Sequence, residues 1–332
     1  SFAKAIPAWV KDKLFQKLII IKNLQTIFGK NIDWLDKLLF SEHHLSHAAS
    51  AFYPSPFKNA AIITLDGVGE WTTTSLSIGT GNDIKVIKEI HFPHSLGLLY
   101  SAFTYYLGFK VNSGEYKIMG LAPYGEPKYV DLILNKIISV SSDGSFQLDM
   151  KYFDYLSGLK MTSKKFHKLF GGPPRKSETK ITQKEMDIAA SIQKVTEEIV
   201  IKLARNIAND TGQQNLCLAG GVALNCVVNG ILLKEKIFKN IWIQPAAGDA
   251  GGALGAALSF WYLNKNNKRI ISLQGDRMKG SYLGPQFTQE EINKSLIDSG
   301  ANFEIFNEEI LISKTAYALS EGKAVGWFQG RM

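Results

Sequence analysis

Cysteine is scarce: the 332-residue chain holds two, Cys217 and Cys226. Their spacing is neither that of a metal-binding pair nor that of a disulfide framework. A disulfide-stapled secreted fold is therefore excluded, and both thiols read as small apolar residues in a reducing compartment. Long apolar runs are also missing. No eighteen consecutive residues are apolar, and the most apolar early run, Leu18–Ile21, is short and flanked by lysines; no transmembrane helix is expected. The opening Ser1-Phe2-Ala3-Lys4 lacks the basic start, apolar stretch and small-residue cleavage pattern of a secretory signal. Together these absences predict a soluble cytoplasmic protein with no membrane partner. Acidic residues are outnumbered, 30 against 38 basic, and the excess is uneven. Residues 160–184 hold eight basic residues and one acid, and the first forty hold seven lysines and three aspartates. Neither patch carries regularly interleaved aromatics, so both read as solvated faces and no nucleic-acid partner is expected.

What is present is a chain that is 45% hydrophobic, enough for a large core arranged as two subdomains or one large α/β domain. Residues 1–40 mix apolar residues and lysines at helical spacing (Val10, Leu14, Leu18, Ile21), which predicts an amphipathic helix. Ala60–Leu65 reads as a buried strand. Thr72–Ile78 and Ile84–Ile90 read as two more, joined by the hairpin signal Gly79-Thr80-Gly81-Asn82. Residues 95–140 are expected to be helical apart from a loop at Asn112–Gly125. Thr182-Gln183-Lys184-Glu185 reads as a capping box opening a long helix that closes at Gly212. Strand Leu216–Ala219, helix Val222–Glu235, strand Ile241–Gln244 and helix Gly251–Leu263 follow. This strand, glycine turn, helix order, given twice, predicts a parallel sheet with ligands at strand carboxyl ends. A helical pair over Gln289–Gly322 and a strand at Ala324–Phe328 complete the expectation. The predicted organisation is a helical segment at 1–40, a first subdomain at 41–180 and a second at 181–332.

Five stretches carry chemistry. In Glu42-His43-His44-Leu45-Ser46-His47, His43 and His47 lie one helical turn apart. Two neutral imidazoles at that spacing can chelate a divalent ion, unless the segment is simply a His-rich surface helix. His44 points elsewhere and is a candidate to orient or contact substrate. In Leu65-Asp66-Gly67-Val68-Gly69-Glu70 a buried strand ends in a carboxylate, with Gly67 and Gly69 permitting close approach to an anion; the plainer reading is a tight turn. In Leu218-Ala219-Gly220-Gly221-Val222-Ala223-Leu224-Asn225-Cys226 the Gly-Gly pair joins strand to helix, where free amides would face a ligand. Pro245-Ala246-Ala247-Gly248-Asp249-Ala250-Gly251-Gly252 is dense enough in small residues for adenine or ribose to pack on backbone. Asp249 there is either a helix N-cap or a ligand. In Asn112-Ser113-Gly114-Glu115-Tyr116-Lys117, Glu115 and Lys117 need partners in an apolar setting; Lys117 either meets a phosphate or joins a structural ion pair.

Taken together, these stretches resemble the carbamoyltransferases of nodulation-factor and antibiotic biosynthesis, the NodU type. The matching phrases run from His43-His44-Leu45-Ser46-His47 through 65–70, 113–125 and 218–226 to 245–253. The resemblance implies an actin/hsp70/sugar-kinase-like (ribonuclease H-like) α/β fold, duplicated, with the first half incomplete here. It implies that His43, His47, Asp66 and Asp249 hold one divalent metal, usually iron. The donor set alone suits Fe(II), Mn(II) or Zn(II) without selecting among them. By the same resemblance Gly220, Gly221 and Asn225, with the neighbouring Val222, contact nucleotide. The expected nucleotide positions are thus Gly67, Gly69, Glu115, Lys117, Gly220, Gly221, Val222, Asn225, Gly248 and Gly251, with His44 a candidate base. The implied activity transfers a carbamoyl group from carbamoyl-adenylate, made from ATP and carbamoyl phosphate, to a hydroxyl of a small molecule or saccharide. The family's opening strand and hairpin and its adenylate-forming domain are expected to lie outside residues 1–332, which leaves this stretch inactive alone. A kinase-like phosphotransferase and a non-catalytic metal- and nucleotide-binding module are the alternatives.

Overall fold

Asn59–Leu65 (β1) is apolar from its second residue onward, and everything after Asn59 is buried. A strand buried on both faces belongs at the middle of a sheet, and β1 lies there. The structure, a computed structural model, describes residues 6, 7, 10, 11, 14–271 and 275–332. Thr72–Thr80 (β2) pairs antiparallel with β1, and Asp83–His91 (β3) pairs antiparallel with β2 across the tight turn at Gly81-Asn82. Gly81 supplies a positive φ of 62° there. A short separate hairpin comes next, Ile138–Val140 (β4) with Phe146–Leu148 (β5). On the other side of β1, Asn215–Ala219 (β6) adds in parallel, and Asn240–Ile243 (β7) adds in parallel to β6. The order β3-β2-β1-β6-β7, with β2 alone reversed, is that of the ribonuclease H-like α/β fold expected from the sequence. β1 and β6 pair across the 180/181 boundary drawn from the sequence, so residues from both expected subdomains build one sheet.

The helices are α1 (Gln16–Phe28), α2 (His43–Phe52), α3 (Leu96–Tyr106), α4 (Glu115–Leu121), α5 (Val130–Lys136), α6 (Lys164–Leu169), α7 (Gln183–Thr211), α8 (Cys226–Glu235), α9 (Asp249–Ser259), α10 (Gln289–Asp298) and α11 (Glu308–Ser320). Helices α3 and α7 cover one face of the sheet and α2 the other. Strand periodicity turns Ala61, Ile63 and Leu65 of β1 and Leu216 and Leu218 of β6 to one side, where they pack with α3, α7 and an aromatic cluster of Phe103, Phe166 and Phe170. Ala60, Ile62, Cys217 and Ala219 face the other way, onto α2 and Tyr262. The long helix α7 opens on the expected capping box of Thr182 and Glu185 and closes at Gly212 in the left-handed conformation.

Local expectations are corrected at several points. Residues 115–121, expected as loop, are helical (α4). The helix expected over Val222–Glu235 is split into a 3-10 turn, Gly221–Leu224, and α8, whose N-cap Asn225 accepts from the Val228 amide at 3.1 Å. The amphipathic segment at 1–40 forms α1, with none of its residues buried; residues 1–5, 8, 9, 12 and 13 lie outside the described ones. Contacts divide the chain into two units, Ser1–Leu273 and Gln274–Met332. The second holds α10 and α11, capped by Thr288 and Asn307. The strand expected at Ala324–Phe328 does not form, because no neighbouring strand is available to it among the described residues of that unit.

Candidate metal and nucleotide site

Three loops leave the carboxyl ends of the parallel strands β1, β6 and β7, and α2 stands beside them. At the tip of β1, Asp66 turns into a tight loop closed by hydrogen bonds from Asp66 N to Thr73 O and from Gly69 N to Thr72 O. That loop folds onto the start of α2. Gly69 has no room for a side chain, since a Cβ there would lie 2.9 Å from His43 Cβ. Both carboxylate oxygens of Glu70 accept from the His43 backbone N–H at 3.2 Å, placing negative charge at the positive end of α2. Gly69 therefore seats the first histidine.

One turn of α2 puts His43 and His47 on the same face, their Nε2 atoms 3.0 Å apart. Asp66 Oδ2 lies 2.8 Å from His43 Nε2 and 3.6 Å from His47 Nε2. Asp249 Oδ1 lies 3.7 and 3.6 Å from the same two atoms. One donor atom from each of the four residues lies within 4.8 Å of all the others, a group able to hold a cation. Two imidazole nitrogens and two carboxylates neutralise a dication and form the mixed N/O set that first-row divalent metals accept. His47 is fully buried, and its Nδ1 has no hydrogen-bond partner, so its polar contacts all lie in this cluster. Asp249 is the first residue of α9, Gly248 being the N-cap, and no side-chain cap forms, so Asp249 is not the helix N-cap.

Hydrogen bonding and charge reinforce one another here. Bonding to Asp66 raises the His43 pKa against the opposing effect of burial. Burial would push the Asp66 carboxyl up, but hydrogen bonds from His43, His47 and the Gly221 amide outweigh it and hold the group far below the usual carboxylate range. The Gly221 N–H donates to Asp66 Oδ1 at 3.0 Å, and that of Gly220 donates to Ala247 O at 2.8 Å. The Gly-Gly amides expected to face a ligand are thus already engaged. Gly220 has another duty: it takes a φ of 89°, and a Cβ there would fall 2.2 Å from Leu65 O.

Beside the four donors opens a cavity of about 620 Å³. Of the candidate residues, Asp66, Gly67, Glu115, Gly221, Val222, Asn225, Gly248 and Asp249 line it. His44, Gly69, Lys117, Gly220 and Gly251 do not. His44 turns under the site, its Nδ1 2.8 Å from Thr64 Oγ1, and burial pushes its pKa down to about 4. Lys117 misses the cavity because its segment is helical: Glu115 and Met119 share the lining face, Ile118 enters the core, and Lys117 projects over the Phe109 ring. Glu115 accepts from Ser101 Oγ and from the amides of Asn112 and Gly114, tying the preceding loop to the wall. A Cβ at Gly251 would sit 2.1 Å from Ala246 O, so that glycine shapes the loop from within. The sequence reading missed Tyr100, Ser101 and Gly97 on the α3 wall. Gly97 was the available signal: a glycine inside an apolar helix marks close approach, and a Cβ there would lie 2.5 Å from Asp66 O.

Among the described residues no helix is long and apolar enough to cross a membrane. The family described as Carbamoyltransferase N-terminus matches residues 1–258. An uncharacterized protein of Synechocystis sp. is 59% identical over all of this chain and 54% of its own length. Nodulation protein NolNO of Sinorhizobium fredii is 35% identical over 95% of this chain and 44% of its own length. Nodulation protein NolO of Bradyrhizobium diazoefficiens is 32% identical over 87% of this chain and 50% of its own. The chain thus spans about half the length of these relatives. Among solved structures, T. kodakarensis HypF aligns with 74% of this chain and 38% of its own at 16% identity and a TM-score of 0.35. A full-length HypF in a phosphate- and nucleotide-bound form aligns with 72% of this chain and 45% of its own at 16% identity and a TM-score of 0.38. TM-scores this low establish no functional likeness. The family match over residues 1–258 and the two nodulation relatives agree with the five stretches from which the site is built, and the chain belongs to the carbamoyltransferase family.

Proposed function

We propose that this chain carries the transfer site of an O-carbamoyltransferase. In this reading His43, His47, Asp66 and Asp249 hold one divalent metal, iron(II) first and manganese or zinc as substitutes, and the adjoining cavity receives carbamoyl-adenylate. A hydroxyl oxygen of a small-molecule or saccharide acceptor attacks the carbamoyl carbon and gives up its proton. The bond from that carbon to the phosphate oxygen breaks, and AMP departs with the bonding pair, leaving a carbamate ester. The donor is made from ATP and carbamoyl phosphate. A metal bound here would supply Lewis acidity and countercharge to phosphate.

The observation that carries the reading is the convergence of two imidazoles and two carboxylates at the wall of a cavity large enough for a nucleotide. Charge adds support. Asp66, Glu115 and Asp249 line the cavity, with no lysine or arginine among the described residues of its walls, so an anionic ligand needs a cation there.

Metal analysis after reconstitution with Fe(II) tests the proposal. About one ion per chain is expected for the wild type, with the His43→Ala and His47→Ala chains losing it. Unchanged metal content in both variants sinks the assignment. Turnover separates the chemistries when the adenylate-forming domain is present as well, in the full-length protein: transfer requires AMP and pyrophosphate release that depends on both carbamoyl phosphate and an alcohol. ATP consumption indifferent to carbamoyl phosphate would identify a phosphotransferase.

A further inference from the structure

Behind the cavity lies a set of buried polar side chains, Tyr100, Gln193, Glu197 and Asn225, of which only Asn225 belongs to the motifs. Gln193, on α7, is 4% exposed, and its side chain meets Glu197 on its own helix, Tyr100 on α3 and Asn225 at the N-cap of α8. Its Oε1 accepts from the Tyr100 hydroxyl at 3.1 Å and from Asn225 Nδ2 at 2.9 Å. Its Nε2 donates to Glu197 Oε1 at 3.1 Å and to Asn225 Oδ1 at 3.2 Å. Two lone pairs and two N–H groups are all the amide possesses, so its orientation is fixed. The consequences reach both partners. Tyr100 gives its one proton inward, and burial raises its pKa, so that proton stays at neutral pH. Its oxygen therefore offers the cavity lone pairs and no donor. Asn225 cannot flip, because its Oδ1 already accepts from Gln193 and from the Val228 amide. One Asn225 N–H is engaged by Gln193, and the second remains. Tyr100 and Asn225 both line the cavity, and both touch the same Gln193 oxygen, so the acceptor and the donor are neighbours.

We infer that Gln193 is a positioning residue that sets the base specificity of the cavity, locking Tyr100 as an acceptor beside Asn225 as a donor. That pair complements the adenine edge, where the N6 amino group donates next to the accepting N1. It opposes guanine, which presents the accepting O6 next to the donating N1–H. Without Gln193 the Val228 amide still holds Asn225 as a donor, but the tyrosine proton is free to turn outward, so that the hydroxyl meets either an acceptor or a donor and the preference for adenine weakens. This inference rests on the proposed binding of a nucleotide in the cavity.

The test is equilibrium binding of ATP and of GTP to the metal-reconstituted chain, for the wild type and for Gln193→Met and Tyr100→Phe. The wild type is expected to prefer ATP. The preference should shrink about tenfold in Gln193→Met, the scale of one mispaired buried hydrogen bond, and also shrink in Tyr100→Phe, which removes only the accepting oxygen. Metal content should be unchanged in both. If Gln193→Met weakens both nucleotides by one common factor, Gln193 merely stabilises the fold and the inference fails. Should that variant not fold, Tyr100→Phe decides: an undiminished ATP preference overturns the proposal. A wild type that binds ATP and GTP equally well also overturns it while leaving the nucleotide reading intact. A wild type that binds neither removes the reading on which it stands.

Discussion

His44 sits in sequence beside the two candidate ligands but faces the strands beneath them, a result of the 100° turn per helical residue. Its ring contacts Thr64 and Ser75, which are hydrogen-bonded to each other, and its Nε2 is buried without a partner. Burial holds its pKa at about 4 against an ordinary 6.5. The folded value is the lower one, so protonation favours the unfolded chain. The contribution of His44 is complete above pH 6.5 and is lost as pH falls toward 4, amounting to about 2 kcal/mol by pH 5. Urea unfolding of the metal-free chain at pH 8 and pH 5 should show this decline in the wild type and a decline smaller by about that amount in His44→Gln. Equal declines in the two proteins would refute it. His43 is shifted the opposite way by its bond to Asp66, so its contribution is present below pH 6.5 and lost above its raised folded value. That effect is common to both proteins and cancels in the comparison.

Among the elements, the contact of α2 with α9 decides whether the ligands meet. Gly255 lies where the two helices come closest: a Cβ there would fall 1.7 Å from Ser46 O and 2.9 Å from Ser50 N, both backbone atoms that cannot swing aside. Gly252, one turn earlier on α9, has nothing within 4 Å of the same built atom. Gly255→Ala should therefore destabilise by about 1–3 kcal/mol, as overpacking does. Gly252→Ala should gain up to about 1 kcal/mol from helix propensity. Thermal melts check both, and metal titration should show weaker binding in Gly255→Ala alone, since displacing α9 moves Asp249 away from the histidines. An alanine tolerated at 255 without loss would contradict the packing. How much of this the sequence disclosed depends on the range of each interaction. The spacing of His43 and His47 and the alternation of β1 are local, and both were legible, as was the capping box of α7. Asp249 stayed ambiguous because its partners lie some two hundred residues away in the chain. Lys117 was misplaced because Gly114 and Gly120 suggested a loop where a two-turn helix forms. Gly255 and Gln193 were silent, since a close approach and a buried amide leave no trace in one sequence.

For the molecule as a whole, the sheet gathers the chemistry at one end. The loops after β1, β6 and β7 all open at the carboxyl ends of parallel strands, the usual ligand side of such a sheet. The resulting cavity is acidic although the chain carries a net charge of +8, the positive charge being placed elsewhere. ATP binding should then depend wholly on the metal: chelation is expected to abolish it, and restoring the divalent ion to recover it. Binding that persists in excess chelator would show that backbone and neutral groups suffice. The four donors are also graded from inside to outside. The His47 side chain is 0% exposed, Asp66 13%, His43 28% and Asp249 81%. An ion entering the proposed site would meet Asp249 before the other three donors. In the proposed metal site the outermost acid would be the doorway, with the interior histidine the last donor that an ion reaches.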